Sequence, residues 1–129
     1  MATEVPESHR GILFKLGFAH AATIGPRGEP HSSPVWYEWD GERLLFSHTK
    51  SRQKYRNLMR DPRIALSITD PDDPYRCVEI RGTAKITDDP DGSLIHHLAR
   101  RYRGSERYRG QLEGRVVVEV VPERVTTWG

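Results

Sequence analysis

The stretch HSSPVWYEWDGERLLFSH, residues 31–48, decides the fold. Val35, Tyr37 and Trp39 alternate with Trp36 and Glu38, the period-two pattern of a β-strand with one buried face. Asp40-Gly41 is a two-residue hairpin signal, and Arg43 to His48 returns as the next strand. Pro34 has no amide hydrogen to give to a ladder, so its strand is predicted to be an edge or to bulge there. Towards the N-terminus, Phe18 to Ile24 is a small, apolar strand stopped by Gly25-Pro26-Arg27-Gly28. Before it, a short helix from Ser8 turns Ile12, Leu13 and Leu16 to one side and ends at Gly17. Towards the C-terminus, Thr49 or Ser51 is predicted to cap a helix reaching about Arg60, with Tyr55, Leu58 and Met59 inward and Asp61-Pro62 as its stop. Arg63 to Thr69 and Tyr75 to Ile86 read as strands separated by Asp70-Pro71-Asp72-Asp73-Pro74; Gly82 marks a bulge or a close backbone approach. A helix over Ser93 to Tyr102 places Leu94, Ile95, Leu98 and Tyr102 on one side. After the basic loop 103–114, Arg115 to Val121 is the last strand, its Val116-Val117-Val118 run predicted to be buried on both faces. Six strands with short helices between them give a mainly β (α+β) domain, one antiparallel barrel over residues 1–129.

Composition narrows the function classes. A chain of 129 residues fits one domain, too small to hold separate cofactor and substrate domains. Its 36% hydrophobic content implies a thin core that self-association would help to bury. A formal charge of +2 argues against nucleic acid as the partner, although Arg100-Arg101-Tyr102-Arg103 and Arg107-Tyr108-Arg109 interleave cations with aromatics. Cys77 stands alone, so no intramolecular disulfide forms and a reducing compartment is expected. Lys15 and His20 interrupt the apolar stretch near the N-terminus, which is neither a signal segment nor a membrane span. A soluble cytoplasmic protein is the expectation.

No residue pattern announces a nucleophile, a metal site or a phosphate-binding glycine loop. His96-His97 point about 100° apart on a helix and cannot share one metal well. Cys77 reads as a buried thiol, and Asp72-Asp73 and Asp88-Asp89 as turn and cap residues. If the chain is an enzyme, a cofactor carries the reaction. Two stretches bear on that. In residues 47–58, SHTKSRQKYRNL, a strand ends in hydroxyl residues and a helix opens among cations. Free helix-start N–H groups, hydroxyls and Arg/Lys together suit a phosphate, against the plainer alternative of a solvated basic helix face. In residues 28–36, GEPHSSPVW, small hydroxyl residues beside Trp36 offer a flat surface for a ring system, or simply an irregular edge strand.

These stretches, in this order, resemble the pyridoxamine-phosphate-oxidase-like split β-barrel superfamily, and within it the small deazaflavin (coenzyme F420) oxidoreductases. The matching pattern runs through Ala22-Thr23-Ile24, Gly28-x-Pro30, Ser33-Pro34-Val35-Trp36-Tyr37, Asp40-Gly41 and Leu44-Leu45-Phe46-Ser47. It continues through Arg52-x-Lys54-x-x-Asn57-Leu58-x-x-Asp61-Pro62-Arg63, Gly82-Thr83-Ala84 and Val121-Pro122-x-Arg124-Val125-x-x-Trp128. The resemblance implies a homodimer with the cofactor between subunits, F420 first and FMN as the alternative. It places His31, Ser32, Ser33, Pro34, Val35 and Trp36 along the ring system. Ser47, Thr49, Arg52 and Lys54 would hold the phosphate beside His48, and Asn57 would fix the loop. Tyr75 to Val78 would flank the cofactor, a partner's Trp128 region would close the groove, and the loop from Arg103 to Gly110 would cover the substrate or meet an acidic cofactor tail. The implied reaction is hydride transfer to a small conjugated substrate, with a proton from solvent or from His31, His48 or Tyr75. The C-terminal substrate motif of pyridoxamine-phosphate oxidases proper has no counterpart here. A non-catalytic flavin or haem carrier on the same barrel is the rival reading.

Overall fold

The computed structural model describes residues 2–129. A four-residue helix α1 (Glu7–Arg10) runs into a 3-10 turn (Gly11–Phe14), followed by β1 (Ala19–Ile24), β2 (Pro30–Val35), β3 (Glu38–Trp39) and β4 (Leu44–Thr49). Then come α2 (Gln53–Arg60), β5 (Arg63–Asp70), β6 (Asp73–Asp88), α3 (Ser93–Arg103), β7 (Arg115–Val120) and β8 (Arg124–Trp128). The strand order is β2-β1-β5-β6-β7-β4-β3, with β8 paired to β6. Every pairing is antiparallel. This is a split barrel whose sheet does not close, since β2 and β3 stand at opposite ends of the order.

The sixteen-residue β6 joins the two halves. Cys77 to Arg81 pairs with β8 while Ala84 to Asp88 pairs with β7. Between them, a Cβ on Gly82 would lie 2.6 Å from the Val121 carbonyl oxygen. Gly82 therefore serves a close backbone approach and not a bulge; the one register shift against β5 falls at Thr69/Asp70. The core is continuous across both halves, with Leu13, Tyr37, Leu44, Phe46, Leu66, Ile68, Val78, Ile80 and Val116 fully enclosed.

Several expectations need correction. The strand foreseen from His31 to Trp39 is broken at Trp36-Tyr37 into β2 and β3. The break is held by Tyr102 of α3, whose hydroxyl accepts the Tyr37 N–H (3.2 Å) and donates to the Gly17 carbonyl (2.7 Å). Pro34 sits on β2 at the sheet edge, where its missing donor costs no ladder bond on the open side. The hairpin after β3 forms, with Gly41 at φ 100° and Asp40 accepting the Glu42 and Arg43 N–H groups. Neither Thr49 nor Ser51 caps α2: their hydroxyls bond each other at 3.1 Å, and Arg52 occupies the cap position without a side-chain bond. Leu16 and Met59 are exposed. Val117 is only half-buried because strand alternation turns it away from Val116 and Val118. Cys77 is half-buried beside the Thr69 hydroxyl, not enclosed. Eight strands replace the predicted six; β3 and β8 are too short to stand out by periodicity. Among the described residues, no helix is long and apolar enough to cross a membrane.

Candidate functional site

The end of β4 and the start of α2 form the base of a hollow of about 340 Å³. Ser33, Pro34 and Val35 of the β2 edge, with Trp36 just beyond it, make one wall, and Ile95 and Leu98 of α3 make another. Ser47, His48, Thr49, Arg52 and Lys54 line its floor, and Phe18, Arg103, Tyr108 and Arg115 complete it. A second hollow of about 270 Å³ shares Ser33, His48, Arg52 and Lys54 and extends to Thr23, His31, Ser32 and Gln53. The shared residues make the two one trough along the exposed edge of β2.

α2 stands where it does because Asn57, fully buried, donates to Thr23 Oγ1 of β1 (3.0 Å) and accepts from Gln53 Nε2 (2.8 Å). With no side chain capping it, the first turn of α2 leaves backbone donors for another acceptor. Lys54 reaches back over the Phe46 ring, its Nζ 5.6 Å from the centroid. Arg115, the first residue of β7, is 8% exposed and donates from Nη1 to Ser47 Oγ (3.2 Å) and from Nε to the Gln111 carbonyl (2.9 Å).

Among the described residues, the trough has four cations in its lining and no Asp or Glu. Burial, and then Arg52, lowers the Lys54 pKa to about 8. Burial, followed by Lys54, Arg52 and Arg115, lowers that of His48 to about 3. His48 is thus a neutral imidazole at neutral pH and cannot deliver a proton as an imidazolium; its Nε2 is buried without a partner. Such an arrangement is unfavourable until an anion enters, since attraction from an opposite charge is what offsets the desolvation of buried cations.

The residues nominated from sequence divide into three groups. Ser33, Pro34, Val35, Trp36, Ser47, His48, Thr49, Arg52 and Lys54 are brought together, with His31 and Ser32 in the adjoining hollow. Asn57 lines neither hollow and lies buried behind them, bonded to Thr23 and Gln53. Tyr75 and Val78 line neither hollow: Val78 is fully enclosed in the core, and Tyr75 is 84% exposed. Trp36 does not offer a bare face either. Its ring stacks on Tyr102 at 5.2 Å and 10°, takes the Arg103 guanidinium at 5.1 Å, and meets Tyr108 edge-on. Arg101 is held by Glu38 and the Phe14 carbonyl, and Arg100 by the Glu106 carbonyl. The basic helix end is therefore tied up in local packing. Arg115 and the lining roles of Phe18, Ile95 and Leu98 escaped the sequence reading; the one signal for Arg115 was a charge opening a strand otherwise rich in valine. Among the described residues no cluster of His, Cys, Asp or Glu could hold a metal.

Comparison with known proteins places the chain in a family. The pyridoxamine 5'-phosphate oxidase family pattern matches residues 5–129. The chain belongs to that family. A solved F420 reductase is 40% identical, with a TM-score of 0.88 over 95% of this chain and 98% of that one. A curated relative from Streptomyces rimosus, a 5a,11a-dehydrotetracycline/5a,11a-dehydrooxytetracycline reductase, is 34% identical over 122 residues, 88% of this chain and 75% of its own length. A conserved hypothetical protein of Mycobacterium tuberculosis is 27% identical, with a TM-score of 0.75 over 98% of this chain and 86% of that one. This member of the pyridoxamine 5'-phosphate oxidase family is an oxidoreductase.

Proposed function

We propose that the chain is a reductase that uses coenzyme F420, working as a homodimer. The observation that carries this is the trough with cations and an uncapped helix start at its base and no carboxylate in its lining, supported by 40% identity to an F420 reductase. When bound, the deazaflavin supplies a hydride. The protein's own part is to bind, orient and exclude water. Arg52, Lys54, Ser47 and the first-turn N–H groups of α2 hold the cofactor's phosphate, Asn57 keeps that turn in register, and the β2 edge from His31 to Val35 lies along the ring system. Ile95, Leu98 and the stacked Trp36-Tyr102 pair give the substrate end an apolar wall that keeps water out.

The second subunit is favoured by aromatic exposure. Tyr75 and Trp128 are 84% and 51% exposed, near each other where Cys77 pairs with Trp128. A second copy of the chain would cover them. Light scattering is expected to give twice the 14.8 kDa chain mass.

The direct test titrates purified protein with F420 and, separately, with FMN, following fluorescence quenching. Saturable quenching at lower concentrations of F420 than of FMN is expected. A yellow preparation that releases FMN on denaturation assigns the site to flavin; no binding of either cofactor removes the oxidoreductase mechanism described here.

A further inference from the structure

Arg52 and Lys54 sit where the two hollows meet, but Arg115 lines only the larger one, in company with Tyr108 and the apolar Phe18 and Leu98. Its hydrogen-bond partners, Ser47 Oγ and the Gln111 carbonyl, are both neutral, and it forms no salt bridge among the described residues. Burial lowers its pKa; Tyr108 counteracts this, Arg52 adds to it, and Asp89 opposes it from farther off as the weakest influence. A guanidinium never loses its proton at working pH; the Gln111 and Ser47 bonds and the Tyr108 ring offset part of the cost of burying it, and a negative charge would offset the rest. The phosphate assigned to Arg52 and Lys54 is already matched by those two cations.

The surroundings of Arg115 are built to hold its plane. Tyr108 lies against the guanidinium, 4.9 Å from its centre. A Cβ on Gly110 would be 2.5 Å from the Tyr108 ring, so the absence of a side chain there is what seats the tyrosine. His96 Nδ1 accepts the Tyr108 N–H at 2.9 Å and fixes the loop to α3. Arg115 is thus clamped on one side and bonded on two edges, a fork held ready for a planar acid.

We infer that Arg115, with Tyr108 behind it, receives an acidic group on the substrate, so that the preferred acceptors pair an apolar body with a carboxylate or an ionised enol or phenol. This rests on the reading that Arg52 and Lys54 take the cofactor's phosphate. The same chemistry could be offered by an acidic tail on the cofactor, and the two sources are separable.

The test is calorimetric binding of 2-naphthoate and its neutral analogue 2-naphthamide to protein saturated with oxidised F420, and to protein alone. Naphthoate is expected to bind about tenfold or more tighter than the amide, the scale of one charge-assisted hydrogen bond. Arg115→Gln should erase that preference and Arg115→Lys should keep most of it. Because Arg115→Gln removes a buried unpaired charge, its Tm should hold or rise; a purely structural arginine would lower it. Affinity for F420, with or without its glutamate tail, should fall far less in Arg115→Gln than in Lys54→Ala, because Arg115 meets the phosphate site only through Ser47 Oγ. Equal or absent binding of the two naphthyl probes by the wild type overturns the inference, as does a preference that survives in Arg115→Gln or a fallen Tm with the preference intact. A loss of F420 affinity confined to the glutamylated form gives Arg115 to the tail and also overturns it. Failure of F420 to bind the wild type would sink the cofactor reading instead, while the naphthoate comparison on protein alone still decides Arg115.

Discussion

Two lysines show how this molecule treats charge in two regions. Lys15, after the first helical turn, places Nζ 2.8 Å from Asp70 Oδ1 and 2.8 Å from Asp72 Oδ2. Its hydrogen bonds to those carboxylates raise its pKa, and the one to Asp70 lowers that of Asp70. Lys54, at the base of the trough, has no carboxylate partner among the described residues, and burial takes its pKa down to about 8. One lysine is complete within the fold; the other is complete only with a ligand. The difference teaches where to look for function: charges satisfied by the chain hold structure together, and charges left unsatisfied in a hollow mark what the chain binds.

The largest expected effect would break this comparison outright. Lys54→Ala should weaken F420 binding by about 1.5–3 kcal/mol, the scale of a hydrogen bond to a charged group, measured by fluorescence titration. Lys15→Ala should leave that affinity unchanged. Equal affinities for wild type and Lys54→Ala would remove the distinction between the two regions.

A second measurement sharpens it through pH. An anion binds the protonated lysine, so F420 affinity should be full below about pH 8, where Lys54 carries its charge, and should decline above it. Lys54→Arg, charged throughout, should flatten the decline. A decline that persists in Lys54→Arg would assign it to another group.

The smallest effects are on stability and carry opposite signs. For Lys54 the folded pKa lies below the unfolded one, so the folded state binds fewer protons between about pH 8 and the ordinary lysine value of 10.5; its contribution to stability rises with pH across that window. For Lys15 the folded pKa is raised, so its contribution is full below the ordinary lysine value and is lost as pH rises through the folded one. The Tm difference between wild type and Lys54→Met should therefore move upward over pH 8–10.5, and that between wild type and Lys15→Met should fall above it. At acid pH the Lys15→Met deficit should also shrink, because Asp70 contributes above its unfolded pKa and loses its contribution as pH falls through its lowered folded value. Curves of the same sign for the two lysines would contradict the comparison.

Much of the architecture was legible because its signals are local. Alternation gave β5, a valine run gave β7, Asp40-Gly41 gave the hairpin, and Asp61-Pro62 gave the end of α2. The run from Ser47 to Lys54 likewise put its candidate anion-binding groups within eight residues of chain, and they do line one hollow. The break at Trp36-Tyr37 was not legible, since the group that holds it, the Tyr102 hydroxyl, comes from a helix 65 positions away. Arg115 was missed for the same reason: it faces Ser47 across 68 positions.

The sequence by itself determined most of the strands, the turns and the cationic corner, because periodicity, glycine and proline geometry and charge spacing act between near neighbours. Only the tertiary structure decided which cations go without a counter-charge, because that depends on which carboxylates the fold brings near. Asp70 and Asp72 are carried to Lys15 by the β5–β6 turn, while β2, α3 and β7 bring only neutral, aromatic and basic groups to the trough.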